Sequence, residues 1–80
     1  MKPVYLRTIR EQRGLTQEQL EDLTEVAQNT ISRLESSAKA RPAFATVVAL
    51  ANALHVDPSQ LRFGPDPRRL RERRQKARVA

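Results

Sequence analysis

The stretch that most constrains this chain is Thr16 to Glu35, TQEQLEDLTEVAQNTISRLE. It carries two short helix signals joined by a tight turn. Thr16 is an N-cap residue, and Gln19 three residues on completes a capping box. Leu15 before the cap and Leu20 after it have the spacing of a hydrophobic staple. Leu20 and Leu23 then share one face, which predicts a short helix burying a single stripe. Val26 and Ile31 repeat the staple spacing around Ala27, where a second helix should begin. Ile31 and Leu34 are its inward face, and Gln28, Asn29, Ser32 and Arg33 point the other way.

That outward face has a specific chemistry. Gln and Asn can each exchange two hydrogen bonds with adenine, and Arg can donate two to guanine, in the major groove of DNA. The four side chains occupy the first turn and a half of a helix that starts directly after a turn. A recognition helix presents its N-terminal end to base edges in this way. Gln28, Asn29, Ser32 and Arg33 are therefore the candidate base-reading residues.

The ordered set Leu15-Thr16-Gln17, Leu20, Val26, Gln28, Thr30-Ile31-Ser32-Arg33-Leu34-Glu35, then Arg41-Pro42 and Leu54-His55-Val56-Asp57, resembles the helix-turn-helix of lambdoid phage repressors and Cro proteins. The resemblance covers about residues 4–63. It implies a DNA-binding regulator with a bridge between Arg10 and Glu35, and a loop whose cations Lys39 and Arg41 touch phosphates. It also implies self-association through Asp57 to Phe63. The chain departs from the family pattern at Ser36 and Ser37, which replace a common Asn-Gly after the motif, and at three places within it. The fifth motif position, usually a small Ala, is Glu21, and the turn position, often Gly, is Glu25. A non-Gly residue in a left-handed turn costs about 1 kcal/mol. Ala27 stands at the second N-cap, where Ser or Thr would contribute about 0.5–2 kcal/mol. These choices predict a weaker turn with the reading surface intact.

Eighty residues allow one small domain, and a hydrophobic content of 39% with few aromatics makes its core aliphatic. A core of this size leaves little room for an enclosed catalytic pocket. With no Cys, neither disulfides nor thiolate metal sites are available, and a reducing cytoplasm fits. No apolar run reaches the length of a membrane span. The formal net charge of +6 suits a polyanionic partner. Its distribution is uneven. Residues 1–64 hold 8 Lys+Arg against 7 Asp+Glu, and residues 65–80 hold 7 against 2. The reading is thus a helix-turn-helix domain over 1–64 and a basic tail over 65–80.

Along the chain, Pro3 suits a helix start, and Leu6, Ile9, Arg10 and Arg13 give helix one the spacing i, i+3, i+4, i+7 before Gly14 ends it. Arg10 in that stripe is either a snorkelling side chain with a buried stem or the partner of Glu35. Ser36 to Arg41 is a loop, read as solvated or as phosphate-touching. Phe44, Val47, Val48, Ala51 and Leu54 form an apolar stripe assigned to the core. A lone His55 with no second ligand nearby is no metal site. Asp57, Pro58 and Gln60 have the cap, first-turn and box positions of a short fifth helix, and Phe63 either closes the core or lies on a dimer surface. In the tail, Asp66-Pro67 could cap a helix to about Arg78, but Leu70, Ala77 and Val79 make no stripe. A frayed or disordered tail is expected.

The expected architecture is all-α, a compact five-helix bundle with helices at about 4–13, 17–24, 28–35, 44–54 and 58–62. Gln17 opens the first motif helix and should face a phosphate, because helix N-termini favour anions. Thr30 joins it at the backbone. One such domain offers a small interface and specific sites need two, so a homodimer on double-stranded DNA is expected. The alternative is an antitoxin or adaptor whose basic tail binds a protein partner. Catalysis has no support: there is one His, no Cys, no Gly-rich phosphate loop and no base–nucleophile spacing, and no cofactor is expected.

Overall fold

The first element among the described residues is a strand and not a helix. The structure is a computed structural model that describes residues 2–68. Strand β1 is Val4–Tyr5, and it is followed by helices α1 (Leu6–Gln12), α2 (Gln17–Thr24), α3 (Gln28–Ser36) and α4 (Phe44–Leu54). A 3₁₀ turn over Pro58–Gln60 then leads into strand β2, Leu61–Arg62. The two strands pair in parallel, Val4 opposite Leu61 and Tyr5 opposite Arg62.

This pairing corrects the all-α, five-helix expectation at both ends. Helix one starts at Leu6 and not at 4, because Val4 and Tyr5 are strand-forming residues and Tyr5 is extended at φ −86, ψ 140. The fifth helix at 58–62 does not form. Asp57 caps as expected, accepting the Ser59 N–H at 2.9 Å, and this bond holds its carboxyl below the usual carboxylate range. One turn closed by Gly64 and Pro65 gains too few hydrogen bonds to propagate, however. The chain instead turns once as 3₁₀ and satisfies its next backbone groups against β1. Leu61 is buried there.

The core is aliphatic: Leu6 and Ile9 of α1, Leu20 of α2, Ile31 and Leu34 of α3, Leu50, Ala51 and Leu54 of α4, and Leu61. Phe63 packs partly buried against it. Of the expected core members, Val48 is half-buried outside the cluster and two more are exposed. Leu23 is 61% exposed and Phe44 is 79% exposed. On α2 the inward stripe is Gln17, Leu20, Glu21 and Thr24, at i, i+3, i+4 and i+7. Leu20 is its one apolar member, and Leu23 falls outside it. Phe44 is the first residue of α4, ahead of the turn at which Val47 meets the core. His55 ends that helix in the left-handed region, φ 58, where Gly commonly stands.

Beyond β2 the chain stays attached. Gly64 N donates to Leu34 O at 2.7 Å, at the end of α3. Thr8 Oγ1 donates to Asp66 Oδ2 at 2.8 Å, and Asp66 Oδ1 accepts the Arg68 N–H at 2.9 Å. The expectation for the remainder of the tail lies outside the described residues.

Candidate nucleic-acid interface

The geometry starts at Thr16. Its hydroxyl accepts the Gln19 N–H at 3.0 Å while Gln19 Oε1 accepts the Thr16 N–H at 2.8 Å, so the capping box is complete in both directions. At the other end of α2, Glu25 takes the left-handed conformation, φ 62 and ψ 12. The turn has contacts that the expectation of weakness left out. Thr24 Oγ1 donates to Leu20 O at 2.7 Å and accepts the Val26 N–H at 3.2 Å. Ala27 contributes no side-chain cap to α3. Glu21 supplies it from the neighbouring helix: its Oε2 accepts the Gln28 N–H at 2.8 Å.

Helix α3 then divides cleanly. Ile31, Leu34 and Glu35 are buried, whereas Gln28, Asn29, Thr30, Ser32 and Arg33 are exposed. Among the described residues, no hydrogen bond or ion pair engages the side chains of Gln28, Asn29, Ser32 or Arg33. They form one uncommitted polar face. Lys39 and Arg41 are exposed on the loop that follows.

Behind this face, Arg10 and Glu35 meet. Arg10 Nε donates to Glu35 Oε2 at 2.6 Å and Nη2 to Oε1 at 3.0 Å, a two-pronged contact between side chains only 10% and 5% exposed. Arg10 Nη1 also donates to Leu15 O at 2.7 Å. Hydrogen bonding to Glu35 raises the Arg10 pKa above its ordinary value against the opposing effect of burial. Gln17 enters the same cluster, its Nε2 donating to Glu35 Oε1 at 3.1 Å. The snorkelling alternative for Arg10 is therefore displaced, and Gln17 has an inward partner that spacing did not reveal. The signal was available: Gln17 lies one turn before Leu20 and Glu21 on the α2 stripe.

Among the described residues there is no group of three or more His, Asp or Glu placed to hold a metal, and no helix long and apolar enough to cross a membrane. What the arrangement offers is two helices at a tight turn, the second displaying free amide, hydroxyl and guanidinium groups from its first turns. That is a helix-turn-helix, the class of fold that reads duplex DNA. Residues 6–61 match the helix-turn-helix family, and the chain belongs to it. Membership makes it a DNA-binding regulator of transcription, in a family that is not enzymatic. Comparison with curated proteins gives no match.

Proposed function

We propose that the protein is a sequence-specific repressor of the Cro and phage-repressor kind, binding double-stranded DNA as a homodimer. The observation that carries this reading is the uncommitted face of α3. Gln28, Asn29, Ser32 and Arg33 read base edges. Lys39 and Arg41 touch phosphates, as does Thr30 from the start of α3. Gln17 contributes there through the N-terminal end of α2 and whatever its amide has left after Glu35. A helix reading only a few base pairs needs a second copy. Two-fold dimers place their recognition helices about 34 Å apart, one turn of the duplex. The segment from Asp57 to Phe63 joins the copies, offering exposed Asp57, Ser59 and Arg62 beside half-buried Phe63.

Selection from a random duplex pool at stated salt, followed by gel-shift competition, tests it. A palindromic sequence should emerge and outcompete random DNA of equal length. Gln28→Ala should lose about 1–3 kcal/mol at one base position and relax preference there. Arg41→Ala should weaken every duplex alike. Equal binding to all duplexes would overturn the proposal.

A further inference from the structure

Glu21 occupies an unusual place. It lies on the inward stripe of α2, half-buried, in the first of the two motif helices. Its backbone O accepts the Glu25 N–H at 2.7 Å, closing the last turn of α2. Its carboxylate accepts the Gln28 N–H at 2.8 Å, opening α3. One residue thus holds both ends of the turn. Within α3 no side chain caps the start: Ala27 has only a methyl group, and the first turn holds no acidic residue.

We propose that Glu21 is a positioning residue for base reading, capping the recognition helix from the helix before it and shielding that helix's N-terminus from phosphates. The proposal rests on the DNA-reading role of α3 given above. The bond fixes the start of α3 relative to α2, and with it the base edges that Gln28 and Asn29 reach. The carboxylate's charge acts separately. A bare helix N-terminus carries about half a positive charge and attracts any phosphate regardless of sequence. Glu21 offsets that attraction, so phosphates meet the start of α3 through a side chain such as Thr30 and not through its backbone, and Gln28 and Asn29 are left to bases.

Two substitutions separate the roles. Glu21→Gln keeps an oxygen acceptor of the same reach and removes the charge; Glu21→Ala removes both. The probes are the duplex selected from the random pool, its single-base variants, and random DNA. E21Q should bind all of them tighter by a similar factor, about two- to five-fold, with base preference unchanged. E21A should also lose discrimination, about five-fold or more, at the position that Gln28→Ala relaxes. In the free protein, hydrogen exchange at the Gln28 amide should quicken in E21A and stay slow in E21Q. Full discrimination in folded E21A, or loss of discrimination in E21Q, would overturn the assignment. Should E21A not fold, the E21Q result and the Gln28 amide decide alone. If Gln28→Ala too leaves every base preference intact, the base-reading role itself fails and the positioning role falls with it. The exchange data then show whether the cap exists.

Discussion

Arg10 and Glu35 are the residues whose partnership decides how the recognition helix is seated. Each side chain is nearly inaccessible, so removing one strands the other's charge in the interior. That loss is larger than for a surface pair and typically reaches about 3–5 kcal/mol. Arg10→Met and Glu35→Leu should therefore each destabilise strongly, and the double variant should lose clearly less than the two losses added together. Urea unfolding of all four proteins measures the coupling; strict additivity would mean that the contact contributes nothing as a pair. Glu35 also accepts from Gln17, so its removal should disturb α2 as well as α1. Spacing alone put Arg10 on an apolar stripe and left its partner open. The resemblance to phage repressors pointed to Glu35, and no local signal in the chain would have done so across 25 residues.

At the scale of elements, the helices from Gln17 to Leu54 were legible from different signals: α2 from its capping box, and α3 and α4 from apolar residues at helical spacing. The ends of the domain were not. Two-residue strands carry almost no pattern, and β1 and β2 stabilise each other only between residues at opposite ends of the domain, Val4 with Leu61 and Tyr5 with Arg62. Leu23 was misplaced because the true inward stripe of α2 is mostly polar, which hides its phase. Gly64 reads in sequence as a stop signal, yet it is a packing element. It adopts φ +91, and a Cβ built on it would lie 2.7 Å from Ala38 Cα, a backbone atom with little freedom to yield. Gly14 has φ +72 with nothing within 4 Å of such a Cβ. Gly14→Ala should cost about 1 kcal/mol from conformation alone. Gly64→Ala should add about 1–3 kcal/mol of overpacking and shift the loop after α3. Equal shifts of the urea midpoint for the two variants would show that the close approach to Ala38 is not restrictive.

For the whole molecule, the proposed function assigns affinity and specificity to different parts of the chain. Residues 1–64 are nearly neutral, and the basic excess lies beyond them. The attachment point of that excess is defined: Gly64 is hydrogen-bonded to Leu34 at the end of α3, and Asp66 to Thr8 on α1. Gly64 also lies against Ala38, in the loop that carries Lys39 and Arg41. Gly64 thus ties the start of the basic stretch to the loop that the proposed function turns toward phosphates. Truncation after Arg68 keeps these anchors and removes six of the fifteen basic residues and one acidic residue. Counterion release makes each phosphate contact worth about 0.9 in the slope of log affinity against log salt. If half of the six reach phosphates, the slope should flatten by about 3. Selected and random duplexes should weaken by similar factors, while base preference and the thermal midpoint stay close to those of the full chain. An unchanged salt slope would eliminate the electrostatic arm. Loss of self-association on truncation, with DNA affinity falling only as far as dimer loss requires, would instead make the segment an assembly or partner-binding element, the role that an antitoxin or adaptor would give it.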